Sequence, residues 1–410
     1  IGALWLHVMQ RNKSISVCLL VLASCQQPAN GVETKSFLNL LLFNAGYASV
    51  CSSPPDRIVS ASNWKNVQTM LQYEMFKGSN APASVTTFGS PGAATSKWTG
   101  GVLAANGKIY GMPRSAGTVL EIDPDTRTLL QFGSIAGLNQ YTGGVLAQNG
   151  KIYGIPYNAT SVLEIDPIAR TAVQFGTVSG ATGKWEGGVL ASNGKIYAMP
   201  SSVTTVLEID PINRVVNQNA AVTGGSFYEI GSVLGPNGKV YGIPYSNAGP
   251  AQLMELDPAT GSTVLFGPSF PAFSFTSGVL APNGMIYTIP YTNTAIYEID
   301  PTKRTATAVT GVLVGGYSNG SLAPNGKIYM FPYDAPNTNV LEFDPNTKQM
   351  TSIGNNFAGG LANKYEDGVM APNGKIYTIP RDATNVAEIS TGSVGTFCTG
   401  LLTSSYLNHY

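Results

Sequence analysis

The dipeptide Asn-Gly recurs seven times at nearly even spacing, and this repeat constrains the fold of the chain more than any other feature. Consecutive copies lie 42 to 48 residues apart, as in architectures that stack one supersecondary unit several times. The full unit reads Gly-Val-Leu-Ala, Asn-Gly, Lys-Ile-Tyr-x-Ile-Pro, Val-Leu-Glu-Ile-Asp-Pro and a short alternating segment, and it is clearest over residues 144–176. The seven asparagines are Asn106, Asn149, Asn193, Asn237, Asn283, Asn325 and Asn373.

Each copy predicts four short β-strands joined by tight turns. The Asn-Gly pair supplies the positive φ that a hairpin turn between strands one and two requires. The Asp-Pro pair favours a second turn between strands three and four, since Asp bonds its own backbone and Pro presets φ. Helical repeats would need apolar positions every 3.6 residues, which the repeat unit lacks. Seven such copies predict an all-β fold, a seven-bladed β-propeller of four-stranded antiparallel blades.

The two ends of the repeat region predict how the ring closes. Residues 84–89 match strand four but precede the first copy, and the last strand three, residues 386–390, lacks the Asp-Pro turn of the other six copies. We therefore expect the N-terminal strand to complete the last blade. In the alternative, residues 395–397 form a degenerate fourth strand and residues 84–89 are redundant.

The N-terminal residues have the pattern of a secretory signal. A short basic stretch follows Met9, the expected start site, and an apolar run over residues 15–23 precedes Ser24 and Cys25. The tetrapeptide that ends at Cys25 resembles the lipobox of bacterial lipoproteins, in which the cysteine is lipidated; the alternative is an ordinary signal peptide. An acyl chain anchors a protein without crossing the membrane. By the same resemblance, Gln26 leaves delivery to the outer membrane or the cell surface open.

The predicted organisation has four parts and one expected disulfide. We predict upstream residues and a lipoprotein-type signal over 1–25, a linker and short N-terminal segment over 26–80, the propeller over 81–397 and a tail over 398–410. Cys51 and Cys398 remain once the signal is removed and Cys25 is lipidated. Outside the cytoplasm these two cysteines can pair, although two free thiols are the alternative.

Low charge and the placement of histidine argue against several functions. The chain has 23 Lys plus Arg against 23 Asp plus Glu, only 11% of its residues, so it lacks the basic surface that nucleic acids require. Its two histidines, His7 and His409, lie outside the repeats, whereas acid–base catalysis near neutral pH usually uses histidine. We expect a monomer with no catalytic residues, no metal and no cofactor, which contacts a membrane only through its lipid anchor.

The repeat unit GVLAPNGKIYxIPY…VLEIDPxTxxxxxFG resembles the repeats of propeller lipoproteins of spirochaetes and other bacteria. It is more distantly similar to virginiamycin-lyase-like, NHL and kelch-type propellers, over residues 84–390. The resemblance implies the fold but little chemistry, because propellers host many functions. The activity of the lyase family depends on a histidine and a metal site, and no histidine lies between positions 8 and 408, so we do not expect that activity here.

Binding residues are expected on the face of the propeller where the blades differ in sequence. The Asn-Gly and Asp-Pro turns share one face, so the links between strands two and three and between blades lie on the other, variable face. One set consists of an aromatic residue at the entry of each blade, four residues before the strand-one valine or its equivalent. In blade four the aromatic residue lies one position earlier. The set is Trp98, Tyr141, Trp185, Tyr228, Phe275, Tyr317 and Tyr365. A second set follows strand two: Arg114, Tyr157, Ser201, Tyr245, Tyr291, Tyr333 and Arg381.

These two sets support a binding function. Aromatic rings with polar tips suit sugars or peptide side chains, although the entry aromatics have an alternative role as core between blades. The leading hypothesis is a secreted or lipid-anchored, non-catalytic module that binds a protein or glycan ligand through its variable face. The alternatives are a carboxylate- and tyrosine-based hydrolase or lyase at the mouth of the central channel, and a structural envelope protein.

A glutamate recurs in strand three of every copy. Seven symmetric carboxylates suggest a metal or acid–base ring, but their neighbours are apolar and strand three lies away from the axis. We therefore expect a structural role, with each glutamate bonding backbone N–H groups or the lysine after Asn-Gly. The fifth copy has Met285 in place of that lysine and still has its glutamate. The seven are Glu121, Glu164, Glu208, Glu255, Glu298, Glu342 and Glu388.

Overall fold

Seven four-stranded antiparallel sheets surround a common axis in the computed structural model of the chain. The structure describes residues 64–77, 81–221, 229–246, 249–309, 315–334, 339–354, 363–393 and 397–408. All of them belong to one compact unit within residues 50–410. The predicted fold, a seven-bladed β-propeller, is confirmed.

Blades 1 to 4 follow one another along the chain, each with strand one innermost. Blade 1 contains β2 (Trp98–Leu103), β3 (Ile109–Pro113), β4 (Val119–Asp123) and β5 (Thr128–Phe132). Blade 2 contains β6 (Tyr141–Leu146), β7 (Ile152–Pro156), β8 (Val162–Asp166) and β9 (Thr171–Phe175). Blade 3 contains β10 (Val189–Leu190), β11 (Ile196–Ala198), β12 (Thr205–Asp210) and β13 (Val215–Ala221). Blade 4 contains β14 (Glu229–Leu234), β15 (Val240–Pro244), β16 (Ala251–Leu256) and β17 (Thr263–Phe270).

Blades 5 to 7 complete the ring, and two helices accompany them. Blade 5 contains β18 (Phe275–Leu280), β19 (Ile286–Pro290), β20 (Tyr297–Asp300) and β21 (Thr305–Ala308). Blade 6 contains β22 (Tyr317–Leu322), β23 (Ile328–Pro332), β24 (Val340–Phe343) and β25 (Met350–Ile353). Blade 7 contains β26 (Tyr365–Met370), β27 (Lys375–Pro380), β28 (Val386–Ser390) and β1 (Ser84–Phe88). The helices are α1 (Trp64–Lys77) and α2 (Thr399–Leu402).

The two ends of the propeller meet in blade 7. Strand β1 pairs antiparallel with β28, with Ser84 opposite Ser390 and Phe88 opposite Val386. The innermost strands of consecutive blades contact one another around the whole ring, including β26 of blade 7 with β2 of blade 1. The outermost position of the last sheet is thus occupied by the strand that comes first in the chain.

The hydrophobic core lies between the blades. Strands β3 and β4 are buried along almost their entire length, whereas the outermost β5 alternates exposed and half-buried residues. One core cluster combines Val102 and Met112 of blade 1 with Tyr141 and Ile152 of blade 2. Because strands two and three are apolar on both faces, each blade is covered by a neighbour on either side.

In five of the seven blades the strand-three glutamate pairs with a cation of the next blade. The carboxylate of Glu121 accepts hydrogen bonds from Lys108 Nζ at 2.8 Å and from the guanidinium of Arg170, in blade 2, at 3.0 Å. The hydroxyl of Tyr110 lies 3.1 Å from this carboxylate and 3.2 Å from the Pro167 carbonyl of blade 2. Equivalent ion pairs across blade boundaries are Arg214–Glu164, Arg304–Glu255, Lys348–Glu298 and Arg127–Glu388.

The expected structural role of these glutamates is confirmed, and the structure adds the partner from the next blade. Glu298, whose own blade has Met285, pairs with Lys348 of blade 6. In blade 4 the residue equivalent to these arginines is Gly261. Glu208 of blade 3 therefore accepts hydrogen bonds from Lys195 and from Asn217 of its own blade, at 2.8 and 3.2 Å.

The C-terminal residues close the channel at the end where the Asn-Gly turns lie. The side-chain amide of Asn408 accepts a hydrogen bond from Leu103 N–H at 2.9 Å and donates one to Leu103 C=O at 2.7 Å. Helix α1 packs beside this segment, with the rings of Trp64 and Tyr406 5.1 Å apart. Cys398 is buried and disulfide-bonded; Cys51 lies outside the described residues, so the pairing of these two cysteines stays a prediction.

Replacing Glu121 by Gln should destabilise the propeller more than replacing Glu208 by Gln. Glu121 is only 3% exposed and accepts from cations of two blades, and hydrogen bonds to charged groups contribute about 1.5–3 kcal/mol. Glu208 has no arginine from the next blade and serves as the matched control. We expect a loss of about 2 kcal/mol for Glu121→Gln in urea unfolding, and equal losses in the two variants would contradict the contribution of Arg170.

Deleting residues 81–90 should abolish cooperative unfolding. The deletion removes β1, leaves β28 as an open edge, and exposes apolar residues that β1 covers in blade 7. Calorimetry would show a broad transition in place of a single one. Adding a peptide of residues 81–90 should restore part of the cooperativity, and an unchanged melt would refute the closing role of β1.

Candidate functional site

A pocket on the propeller axis lies at the variable face. Its volume is about 360 Å³, and all seven blades contribute to its wall. The wall includes the residue that follows strand two in six of the blades. The lining residues are Arg114, Tyr157, Glu186, Tyr245, Phe273, Thr276, Tyr291, Ser318, Asn319, Tyr333, Glu366 and Arg381.

Main-chain hydrogen bonds between blades hold the rim of this pocket. The residue after strand two accepts at its carbonyl from the N–H of the next blade's entry segment, as in Gln140 N–H to Arg114 C=O at 2.8 Å. Its own N–H donates to the entry segment of its own blade, as in Arg114 N–H to Lys97 C=O at 3.0 Å. The same bond to the next blade joins Lys184 to Tyr157, Phe273 to Tyr245, Lys364 to Tyr333 and Lys97 to Arg381. The rim is therefore pre-organised, which lowers the entropic cost of ligand binding.

A β-bulge positions the residues at the start of strand one. The register between strands one and two shifts just after the entry aromatic, for example between Tyr365 and Asp367. In four blades the residue at this point is a hydroxyl side chain that donates to a main-chain carbonyl of the next blade: Thr99 to Tyr141, Thr142 to Trp185, Thr276 to Tyr317 and Ser318 to Tyr365. In blades 3 and 7 the same position holds Glu186 and Glu366, and both carboxylates line the pocket.

One side of the pocket is charged. Arg381 donates to the carboxylate of Glu366 at 2.6 Å and also to the hydroxyl of Tyr333. The same carboxylate lies 3.9 Å from Arg114, whose Nε donates to Asn139 at 2.9 Å. Each guanidinium group lies over a tyrosine ring, Arg114 over Tyr157 at 5.4 Å and Arg381 over Tyr333 at 5.3 Å. The two arginines thus come from adjacent blades, 7 and 1, and share one carboxylate.

The other side of the pocket is aromatic. The ring of Tyr245 lies 5.1 Å from Phe273 and 5.8 Å from Tyr291, and Tyr291 lies 6.1 Å from Tyr333. The Tyr291 hydroxyl donates to Asp334 at 2.7 Å. These rings come from blades 4 to 6 and form a continuous arc that starts opposite the arginines and ends at Tyr333, which lies under Arg381.

Burial shifts the protonation of the pocket's acids. Burial, reinforced by the charge of Glu366, raises the pKa of Glu186 to about 7 against the opposing effect of Arg114. Burial also raises the pKa values of Tyr157, Tyr245 and Tyr291. The tyrosines are therefore neutral hydrogen-bonding groups at physiological pH, and Glu186 is a lining acid that exchanges a proton near neutrality.

One further acid lies in the channel, next in sequence to the pocket residue Glu366. Asp367 is buried there and accepts hydrogen bonds from the N–H groups of Gly101 and Gly368 at 2.7 Å. Burial raises the pKa of its carboxyl to about 8. A separate cavity of about 20 Å³, the size of one water molecule, is lined by Asp367 and by Asn408 of the tail.

The structure separates the two predicted sets of binding residues. The six members of the second set that carry an aromatic ring or a guanidinium group all line the axial pocket. The described entry aromatics are instead buried in the core and are not among the lining residues: Trp98, Tyr141, Trp185, Phe275, Tyr317 and Tyr365. Tyr228 and Cys25 lie outside the described residues.

Sequence reasoning missed the residues that the bulges and loops bring to the pocket. These are Glu186, Phe273, Thr276, Ser318, Asn319 and Glu366. The sequence does distinguish the two glutamates, because four other blades have a hydroxyl residue directly after the entry aromatic. These residues are Thr99, Thr142, Thr276 and Ser318.

The described residues contain neither a metal-binding cluster nor a membrane-spanning helix. No three or more His, Cys, Asp or Glu side chains in the described ranges are grouped so that they would hold a metal ion. Within the same ranges, neither helix has the length and apolar character that a membrane crossing requires.

Comparison with known proteins shows the fold of this chain and no family. No protein-family model matches the sequence, and no curated protein matches it. The structure is similar to a catalytically inactive form of virginiamycin B lyase from Staphylococcus aureus, solved with quinupristin, with a TM-score of 0.63, 10% identity, and coverage of 75% of this chain and 99% of that one. The expected likeness to virginiamycin-lyase-like propellers is thus confirmed at the level of the fold, whereas the likeness to spirochaete lipoproteins stays a prediction.

Two further structures have the same architecture. Hydrazine synthase of Kuenenia stuttgartiensis aligns with a TM-score of 0.59 and 11% identity, over 74% of this chain and 99% of that one. The extracellular domain of a hybrid two-component system of Bacteroides thetaiotaomicron aligns with a TM-score of 0.57 and 9% identity, over 75% of this chain and 42% of that one. At such low identity these likenesses show the fold alone.

Replacing Glu186 by Gln should stabilise the protein at pH 8 and leave it unchanged near pH 4. The folded-state pKa of about 7 lies above the ordinary value of 4.5, so the wild type loses stability from this group as the pH rises through that interval. At about 1.4 kcal/mol per pKa unit, the gain at pH 8 is at most about 3 kcal/mol. Urea unfolding at several pH values would measure it.

Glu255 provides a control of opposite sign. Although burial raises the pKa of its carboxyl, hydrogen bonds from Arg304 and Lys239 hold that pKa at about 2, so Glu255→Gln should destabilise the protein at neutral pH. A pH-independent difference between wild type and Glu186→Gln would contradict the protonation assigned to the pocket.

Proposed function

We propose that this chain is a binding module that holds a glycan ligand in its axial pocket on the variable face. The proposal rests on one observation: blades 3 and 7 lack the Thr or Ser that follows the entry aromatic in four other blades. There Glu186 and Glu366 replace the side chains that join neighbouring blades, and both line the pocket. Residues that depart from a pattern shared by other copies of a repeat are expected at functional sites.

The shape of the pocket favours a glycan over the surface of a folded protein. Its volume of about 360 Å³ lies in the usual range for small ligands, about 300–1,000 Å³. Stable protein–protein interfaces instead bury about 1,200–2,000 Å² of surface. Because Asn408 and Tyr406 close the far end of the channel, a ligand enters from the variable face and inserts one end.

The chemistry of the wall also suits a sugar. The rings of Tyr245, Phe273 and Tyr291 offer apolar faces to the C–H groups of a sugar ring, and stacked aromatic contacts add about 0.5–1.5 kcal/mol each. Arg114, Arg381 and Glu186 supply donors and acceptors for hydroxyl groups. The pre-organised rim keeps these groups in place before the ligand arrives.

The location proposed for the module is the cell envelope, outside the cytoplasm. The basic and apolar N-terminal segment and the lipobox-like residues up to Cys25 support secretion and a lipid anchor. A disulfide at Cys398 fits an oxidising compartment.

A hydrolase is the second candidate, because the pKa of Glu186 lies near 7. A carboxyl with such a pKa suits a general acid, and Glu366 would be the second carboxylate that glycoside hydrolysis requires. The raised pKa values of Tyr245 and Tyr291 make tyrosine a poor base, so the lyase version is less favoured. Mass spectrometry of oligosaccharides incubated with the protein and with Glu186→Gln separates binding from hydrolysis: product formed only by wild type supports the hydrolase.

Replacing Phe273 by Ala should weaken glycan binding three- to tenfold without affecting folding. Its ring is 36% exposed at the rim, and the loss of one aromatic contact corresponds to about 0.5–1.5 kcal/mol. The matched control is Leu138→Ala, an exposed apolar residue in the loop that leads into blade 2. A glycan array and an array of extracellular proteins would identify the ligand class. Silence on both, or equal losses in the two variants, would refute a binding site on the axis.

A further inference from the structure

We propose that the axial pocket recognises an acidic group, and that the glycan it binds carries a uronic acid whose carboxylate lies against Arg114. This inference rests on the proposed function and specifies its ligand. The pocket is built from seven similar blades, yet both of its guanidinium groups lie on one side. Arg381 and Arg114 lie on blades 7 and 1, whereas Tyr245, Phe273 and Tyr291 lie on the opposite side. A ligand with an acid at one end and apolar C–H faces at the other matches this polarity.

Of the two arginines in the pocket, Arg114 lies farther from the carboxylate of Glu366. Arg381 is bonded to Glu366 at 2.6 Å, but the nearest nitrogen of Arg114 lies 3.9 Å from the same carboxylate. The hydrogen bond from Arg114 Nε to Asn139 and the contact with the Tyr157 ring hold the group in place. A positioned guanidinium binds a carboxylate through two parallel hydrogen bonds.

The charges around Glu186 determine how such a ligand would bind at different pH values. Glu186 is influenced by Arg114, Arg381, Glu366 and the hydroxyl of Tyr157. A ligand carboxylate beside Arg114 adds a second negative charge and offsets the arginine, so it favours the protonated form of Glu186. The acidic ligand therefore binds together with a proton, and its affinity falls as the pH rises through 7.

The test uses matched probes that differ only at the carboxyl group, which is ionised in the acid and neutral and methylated in the ester. Trisaccharides of galacturonic, glucuronic, mannuronic and guluronic acid are each compared with their methyl esters by isothermal titration calorimetry against the full chain. We expect at least one acid to bind about tenfold or more tightly than its ester, the usual size of one charged hydrogen-bonding interaction. From pH 6.0 to 7.5 the affinity for that acid should fall about fourfold, with no change for the ester. Burial lowers the pKa of Lys184 to about 8, so the range ends below its titration.

Variants assign the effect to individual side chains. Arg114→Gln should reduce the preference for the acid to less than about twofold while the ester still binds, and Arg114→Lys should keep part of the preference. Glu186→Gln should keep the preference and remove its pH dependence. Lys303→Gln, at a lysine 75% exposed on its side chain, removes the same charge elsewhere and should change neither. Thermal melts of each variant exclude misfolding.

The outcomes separate this inference from the proposed function. Equal affinity for acids and esters, or tighter binding of a glucosamine trisaccharide, overturns acid recognition but leaves glycan binding intact. An acid preference that persists in Arg114→Gln overturns the role of Arg114. Absence of binding for every trisaccharide, together with silent glycan and protein arrays, overturns both.

Discussion

Each blade of this propeller is apolar on both faces, and the rest of the structure depends on that constraint. Strands such as β3 and β4 are buried almost completely, so a blade needs a neighbour on either side and the row of blades has to close. The shared carboxylate, as in Glu121 with Lys108 and Arg170, then sets how adjacent blades are aligned. Arg170 even has a left-handed backbone, with φ of +51°, a conformation that costs about 1–2 kcal/mol and is offset by bonds to the preceding blade.

The two faces of the propeller are held together by different kinds of interaction. The inter-blade ion pairs lie with the Asn-Gly and Asp-Pro turns, where most blades repeat the same residues. The variable face is joined mainly by main-chain bonds, such as Gln140 N–H to Arg114 C=O. Main-chain bonds do not depend on side-chain identity, so the side chain at the same position is free to be Arg114 in one blade and Tyr157 in the next. A polarised pocket can thus form on a nearly symmetric frame.

The sequence predicts the fold well because its signals are local and repeated. The turn dipeptides and the apolar strands recur in seven copies, and the surplus strand-four segment at residues 84–89 lies in blade 7 of the structure. It also predicts part of the site, since residues such as Tyr245 and Arg381 follow strand two and necessarily emerge at the variable face. It does not distinguish them from the entry aromatics, because burial of Trp98 or Trp185 depends on the approach of the neighbouring blade.

The acids of the pocket show what a repeat sequence reveals once its geometry is known. A threonine in the bulge, such as Thr99, donates to the next blade's carbonyl, and an ionised carboxylate cannot do this because it carries no proton. Glu366 therefore exchanges this hydrogen bond for ion pairs with Arg381 and with Arg114 of the next blade, whereas Glu186 holds a charge that burial disfavours. Both changes fall at the same position of the repeat and beside the same pocket. This coincidence is the reason for proposing a ligand site on the axis.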